Sequence, residues 1–171
     1  MPLPPKYASL GLEPLLGEAG FFRLMFRSGL EVLHGELALP ASNMIYYALT
    51  RESPQNHLHW LASDDHHILI DGGPADYFQF FEDGRSTCVR MGRELNAGEQ
   101  LAVTTPGNAY KAVRLCESAD YLLVGSVVTP AWSEAGMHIG AGQAFLGQYI
   151  GTSSWATPEC LRSLIGPNLE A

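Results

Sequence analysis

The sequence predicts an all-β domain, an antiparallel sandwich or barrel with a short N-terminal lead and a C-terminal helix. Strand-like pieces recur about every 8–12 residues, a spacing typical of sandwiches and barrels. Turn-forming residues, including 18 Gly and 11 Pro, separate these pieces. No segment is long enough for the crossover helices that parallel strands need. We expect residues 1–171 to form a single domain with its core at 20–135.

The elements follow in chain order. The lead at 7–16 has weak helical character, which Gly11 and Pro14 interrupt. Near the C-terminus, Thr157 caps a helix whose first position is Pro158 and whose apolar residues follow helical spacing. Between them, the expected strands lie at 21–27, 43–50, 57–61, 66–71, 76–81, 88–91, 100–104, 109–114, 121–128 and 143–147.

Composition excludes two classes of partner. Against 18 acidic residues stand 10 Lys and Arg, giving a net charge of −8 with no basic cluster, so nucleic acid is not expected as a partner. No apolar run approaches the roughly 20 residues of a membrane helix, and the N-terminal segment lacks the features of a signal peptide. Three widely spaced cysteines predict reduced thiols in a cytoplasmic protein, although a single disulfide remains open.

A histidine-rich segment carries the candidate chemistry. On a strand, His57 and His59 would share a face, and a turn would bring Asp65 or His67 opposite them. Two imidazoles and a carboxylate form a set suited to one divalent transition metal: Fe, Mn, Ni, Zn or Cu. The alternative is that these histidines are partly exposed polar residues on an outer face. His66 and His67, taken separately, also suit a surface position.

The segment 57–72 resembles the first motif of the cupin superfamily, in which HxH precedes an acid and, six residues later, a glycine. The wider pattern is similar to a branch of small single-domain cupins, whose fold is a double-stranded β-helix, or jelly roll. The matching pieces are Leu10-Gly11-Leu12, Glu18 with Gly20, Phe22-Arg23, Arg27-Ser28, 45–49, Gly72-Gly73-Pro74, Gly98-Glu99, 105–112, Leu123-Val124-Gly125 and 128–132.

Two departures from the cupin pattern affect its metal site. The resemblance implies His57, His59 and Asp65 as ligands, but Asp65 stands where the family usually has Glu. The fourth ligand position is occupied by Lys111, whose ammonium has no lone pair and repels a cation. Either three ligands hold the metal, or the site has no metal and Lys111 is a general acid or an anion anchor. Lys111 as a solvated strand residue is the remaining alternative.

The resemblance implies an enzyme that processes a small organic molecule in the barrel by lyase, isomerase or cyclase chemistry, in specialised metabolism. His57, His59, Lys111 and Tyr110 are the candidate catalytic residues. The candidate substrate pocket consists of Tyr47, Arg23, His67 and Trp132. Arg23 and Arg27 would share a strand face, and the glycine-rich segment 136–147 would form a flap at the barrel mouth.

Two other functions remain open: a non-catalytic cupin that binds a sugar or small metabolite, and a structural dimerisation module. A homodimer is the expected oligomeric state, because jelly-roll sheets have edges that often pair.

Overall fold

The computed structural model of the chain describes residues 3–170. Its thirteen strands are β1 (Glu13–Pro14), β2 (Phe21–Arg27), β3 (Glu31–His34), β4 (Leu37–Pro40), β5 (Asn43–Thr50), β6 (Gln55–Leu61), β7 (Asp64–Gly72), β8 (Ala75–Phe80), β9 (Ser86–Met91), β10 (Ala102–Thr105), β11 (Tyr110–Leu115), β12 (Tyr121–Thr129) and β13 (Met137–Ile139). Two α-helices follow, α1 (Gln143–Tyr149) and α2 (Pro158–Ile165). Short 3-10 helices lie at Pro5–Leu10, Leu95–Ala97, Glu134–Gly136 and Gly166–Asn168.

The strands form two main antiparallel sheets. The six-stranded sheet has the order β1-β2-β5-β12-β7-β10, and the five-stranded sheet has the order β13-β6-β11-β8-β9. Strands β3 and β4 make a separate hairpin. This arrangement confirms the all-β, jelly-roll prediction, because strands distant in sequence are neighbours in each sheet.

Two apolar clusters hold the sheets and helices together. One lies between the two sheets and contains side chains from both, including Tyr47, Tyr77, Val113 and Leu122. The other joins the outer side of the five-stranded sheet to the two helices. Because alternate residues of β8 and β11 serve the two clusters, the five-stranded sheet is buried on both faces over much of its length.

The C-terminal helix has the predicted start. Thr157 is the N-cap of α2, and its hydroxyl accepts a hydrogen bond from the backbone N–H of Cys160 at 3.1 Å. Leu161, Leu164 and Ile165 bury the apolar stripe against the outer cluster. The prediction of a C-terminal helix is confirmed.

The N-terminal lead folds differently from a helix over 7–16. A 3-10 helix ends at Gly11, which adopts a left-handed conformation with φ +62°. The lead is fixed to β7 because the Tyr7 and Lys6 side chains donate hydrogen bonds to the Asp71 carboxylate, at 2.5 and 2.9 Å. Tyr121 donates a third at 2.7 Å.

The expected strand at 143–147 is wrong: these residues begin α1. Phe145 and Tyr149 are four residues apart and pack together against Phe80, a contact that helical spacing provides and a strand does not. The segment before α1 is not a flap, since β13 pairs with β6. Within residues 3–170 no helix has the length and apolarity needed to cross a membrane, and the three cysteines are free.

Candidate functional site

A cavity of about 670 Å³ lies between the two sheets. Its walls are largely apolar and come from the lead, from β2, β5, β6 and β12, and from the segment that contains β13: Leu15, Leu16, Phe22, Leu24, Ile45, Leu61, Val128, Trp132, Met137 and Ile139. Its inner end borders the core between the sheets and is polar. Side chains from four strands and the lead meet there: Glu18, Asn56, His59, Asp65, His67, Lys111 and Ser126.

A shift in the register of β6 decides which histidine faces the cavity. His59 pairs with Lys111 while Asn56 pairs with Val113, so His57 and Leu58 together lie opposite one residue, as in a β-bulge. Asn56 and His59 therefore both line the cavity. His57 lies outside the wall, with Nδ1 3.4 Å from the Gly17 carbonyl. The expectation that His57 and His59 share a face is wrong for this reason.

The imidazole of His59 is held in one orientation. Its Nδ1 lies 2.8 Å from the His57 carbonyl oxygen, which only accepts hydrogen bonds, so Nδ1 carries a proton. Nε2 faces the carboxylate of Glu18 at 3.6 Å. Asn56 Nδ2 donates to the same carboxylate oxygen at 3.2 Å. Because 3.6 Å exceeds hydrogen-bond length, both Nε2 and the carboxylate keep capacity for a ligand atom.

A tight turn delivers Glu18 to this position. Both Ala19 and Gly20 have positive φ, at +70° and +85°, and the Tyr47 hydroxyl donates a hydrogen bond to the Ala19 carbonyl at 2.9 Å. A Cβ on Gly20 would overlap the Tyr47 phenol. Glycine is therefore required at this turn, and the turn fixes the carboxylate beside His59.

Asp65 and Lys111 form a buried ion pair at the inner end of the cavity. Each side chain is only about one-twentieth exposed, at 6% for Asp65 and 4% for Lys111, and the ammonium donates to Oδ2. Ser126 donates to Oδ1 at 2.9 Å. Burial alone raises the pKa of the Asp65 carboxyl, but the Lys111 ammonium outweighs burial and holds that pKa well below its ordinary range. Asp65 is thus ionised.

His67 completes the cluster as a neutral imidazole. Burial, reinforced by the Lys111 charge, lowers the pKa of His67. Its Nδ1 lies 2.9 Å from the Tyr77 hydroxyl and its Nε2 lies 3.3 Å from Lys111 Nζ. Because an ammonium only donates, Nε2 is the acceptor, and Nδ1–H donates to Tyr77, whose hydroxyl donates to Met91 Sδ at 3.5 Å. Both ring nitrogens of His67 and the Tyr77 hydroxyl therefore have hydrogen-bond partners.

The cavity residues do not fit the metal site that the cupin motif implies. The two positions on β6 that face the cavity two residues apart are His59 and Leu61, not His57 and His59. Together with Asp65 and Lys111, these two residues occupy the four ligand positions of the motif. Leu61 puts an alkyl group and Lys111 puts an ammonium where the motif needs a metal ligand. Among residues 3–170, no three or more His, Cys, Asp and Glu side chains are grouped so that they could hold a metal ion.

The other residues expected at the site divide between the cavity and the surface. Tyr47 and Trp132 line the cavity. Tyr110 packs on the outer side of its sheet against Phe145, with ring centroids 5.2 Å apart. The expected catalytic position of Tyr110 is therefore corrected: β11 presents the neighbouring residue, Lys111, to the cavity.

The two arginines of β2 lie on different faces. Leu24 pairs with Ile45 and Phe26 pairs with Met44, so Met25 is an extra residue in β2. Arg27 consequently lines the cavity, and Arg23 is an exposed residue away from it. The expectation that Arg23 and Arg27 share a face is wrong, and Arg23 does not belong to the pocket.

Several residues of the cavity were not among the expected site residues, including Glu18, Asn56, Arg27 and Ser126. Two of them carried a signal. Glu18 stands between Gly17 and Gly20, which indicates a turn that fixes its position. Ser126 interrupts an apolar strand, where a buried hydroxyl requires a partner. Asn56 and Arg27 face the cavity because of the register shifts in β6 and β2. No pattern in the sequence indicated these shifts.

Comparison with known proteins agrees with this architecture. The family model described as "Cupin superfamily (DUF985)" matches residues 7–139. An uncharacterized protein of Saccharomyces cerevisiae, YML079W, is 30% identical over 94 residues, 53% of this chain. The match spans 46% of the yeast protein, less than half of its length.

Two solved structures have similar folds. A hypothetical protein from Leishmania major superimposes with a TM-score of 0.72 at 28% identity, covering 83% of this chain and 86% of its own. A mutant of oxalate decarboxylase from Bacillus subtilis has a TM-score of 0.52 at 19% identity, covering 74% of this chain and 30% of its own. The second likeness concerns the fold alone.

Proposed function

The chain belongs to the cupin superfamily, and from that premise we propose that it is an enzyme that moves a proton on a small organic molecule bound in the cavity. The reaction classes that fit are lyase, isomerase and cyclase chemistry. One fold hosts many chemistries in such families, so the proposal rests on the side chains of the cavity.

The observation that carries the proposal is the pairing of His59 with Glu18. Because the Nδ1 proton of His59 is bound to a backbone carbonyl, the lone pair of its neutral form lies on Nε2. The Glu18 carboxylate lies 3.6 Å from that atom. A substrate C–H or O–H placed between them contacts two groups that can accept and return a proton. Asn56 orients the carboxylate.

Lys111 supplies the charge that this chemistry needs. Removal of a proton next to a carbonyl places negative charge on the carbonyl oxygen, and an ammonium at the buried inner end of the cavity stabilises that charge. His59 Nε2 takes the proton from carbon, and the electron pair moves to the carbonyl oxygen opposite Lys111. The proton then returns to the same or a neighbouring atom from His59. Asp65 remains ionised throughout and holds the ammonium in place.

The shape of the cavity supports a small, partly apolar ligand. Its volume of about 670 Å³ lies within the usual range for small-molecule sites. Trp132, Leu24 and Arg27 are exposed residues of the wall and form the outer part of the cavity. A ligand with a carbonyl group at the inner end and an acidic group near Arg27 matches this distribution.

The test is solvent deuterium exchange. The protein is incubated in D2O with a panel of small ketones, 2-oxo acids and hydroxy acids, and each compound is followed by proton NMR. We expect at least one compound to lose a C–H signal or to be converted. His59→Gln should lower the rate at least about 100-fold, the scale of general acid–base catalysis. His57→Gln, whose imidazole lies outside the cavity, is the matched control and should keep the rate.

The same experiment separates the non-catalytic alternative. A compound that raises the unfolding temperature of the protein but exchanges no proton in any variant would indicate a cupin that only binds a sugar or small metabolite. That alternative draws support from the apolar walls, which would bind a ligand without any proton transfer.

A homodimer remains part of the proposal. Phe26 and Ile68 on the six-stranded sheet are exposed by 56% and 50%, and apolar side chains of this size are often covered by a partner. Light scattering of the purified protein measures the mass directly: twice 18.6 kDa supports the dimer, and 18.6 kDa contradicts it.

A further inference from the structure

We propose that the Lys111 ammonium is the permanent cation of this site and stands in place of the metal ion that the family's motifs would hold. The chain carries its own positive charge on β11, covalently attached and therefore independent of metal supply. The inference follows from the ligand positions, the hydrogen bonds of the ammonium and the hydrogen bonds of Asp65.

The ligand positions lack the atoms that a metal needs. His59 and Asp65 are cavity residues with donor atoms, but Leu61 has no lone pair and Lys111 has none when protonated. A divalent ion between His59 and Asp65 would also lie close to the ammonium and be repelled by it. These four side chains therefore disfavour the binding of a metal ion.

The hydrogen bonds of Lys111 leave one donor for a ligand. An ammonium has three N–H donors. One donates to Asp65 and one to His67 Nε2. The third has no partner among residues 3–170, and Lys111 lines the cavity. A carbonyl or carboxylate oxygen of a bound molecule is the acceptor that this third donor fits.

Asp65 is committed to the lysine. Oδ1 accepts a hydrogen bond from Ser126 and Oδ2 accepts one from the ammonium, so a metal ion bound to Asp65 would share the carboxylate with a positive charge. The arrangement fixes the ammonium at one place. There it supplies the positive charge that a bound metal ion would supply in a metal-dependent cupin site.

The contact of Lys111 with a substrate oxygen rests on the proposed function, whereas the exclusion of a metal does not. The experiment therefore measures metal binding. Wild-type protein without a polyhistidine tag is incubated with excess Mn²⁺ or Ni²⁺, desalted and analysed for metal content. The matched variants are Leu61→His alone, and Leu61→His combined with Lys111→His.

We expect wild type and Leu61→His to retain far less than one ion per chain, and the double variant to retain about one, because only it offers four ligands. Ni²⁺ should raise the unfolding temperature of the double variant alone. Stoichiometric metal in wild type or in Leu61→His overturns the proposal. A folded double variant that binds no metal also overturns it, because Lys111 would then not be what excludes the ion.

If the double variant does not fold, the wild-type protein still decides the question. Mn²⁺ broadens the NMR signals of nearby nuclei. Imidazole signals of His59 and His67 that stay sharp at one equivalent of Mn²⁺ support the proposal, and selective broadening of both overturns it. Either result is independent of whether any substrate has been found.

Discussion

The ammonium of Lys111 donates a hydrogen bond to the carboxylate of Asp65 at the inner end of the cavity, where both side chains are almost fully buried. The pair joins β11 to β7, which belong to different sheets. Opposite charges in a medium of low polarity attract strongly, but each charge also loses its hydration. The pair is therefore stable as a unit, and neither member is stable without the other.

Removal of one member should be more harmful than removal of both. Lys111→Met leaves the Asp65 carboxylate buried without a counter-charge and should lower the free energy of unfolding by about 3–5 kcal/mol. Asp65→Asn combined with Lys111→Met should recover much of that loss. Urea unfolding of wild type, both single variants and the double variant measures the coupling. Additive effects of the two changes would contradict the buried ion pair.

Stability should fall in mild acid because of His67. The pKa of His67 is lower in the folded protein than its ordinary value of about 6.5. Between these two pKa values, the unfolded chain binds a proton at His67 and the native protein does not. The contribution of His67 to the free energy of unfolding is fully present above about pH 6.5. Below that pH it decreases by about 1.4 kcal/mol per pH unit, because one proton is involved. Asp65 adds a loss of the same direction below its ordinary pKa near 3.8.

The measurement is urea unfolding from pH 8 to pH 4.5 in wild type and His67→Gln. The variant should show a flatter profile between pH 6.5 and 4.5, because the titrating imidazole is gone. An unchanged slope would mean that another group carries the acid sensitivity.

The turn that carries Glu18 should not tolerate a side chain at Gly20. Gly20→Ala puts a methyl group into the Tyr47 phenol at a positive φ, and should cost about 2–4 kcal/mol. Gly11→Ala is the matched control: it has a similar φ with open space around it, and should cost about 1 kcal/mol. Thermal unfolding of the two variants compares them. Equal losses would show that the contact with Tyr47 is unimportant.

The two arginines of β2 should behave differently toward a ligand. Arg27→Gln should weaken binding of an acidic compound from the exchange panel about two- to fivefold, the effect of one lost exposed charge contact. Arg23→Gln should leave the affinity unchanged, because Arg23 is outside the cavity. Titration calorimetry measures both. Equal effects would contradict the register shift at Met25.

The sequence was sufficient for the broad fold because turn residues and strand composition are local signals. The capped helix after Thr157 is also local, since the cap, Pro158 and the apolar spacing lie within one segment. The helix at Gln143–Tyr149 was mistaken for a strand because its aromatic residues suit both structures. Contacts with Phe80, which is distant in the chain, determine the helix.

The site was harder to predict because two register shifts control it. Strict alternation along β6 puts His57 and His59 on one face, and only the pairing with β11 shows that Asn56 replaces His57. The lysine was visible from its place in the second motif, but its partners, Asp65 and His67, come from β7 and required the fold.

A crystal structure with a compound from the exchange panel bound tests the central claim most directly. The account predicts a carbonyl or carboxylate oxygen within hydrogen-bond distance of Lys111 Nζ, and the exchanging hydrogen of the compound between His59 Nε2 and Glu18. A compound that exchanges its proton while bound away from these three side chains, or against His57 outside the cavity, would contradict it.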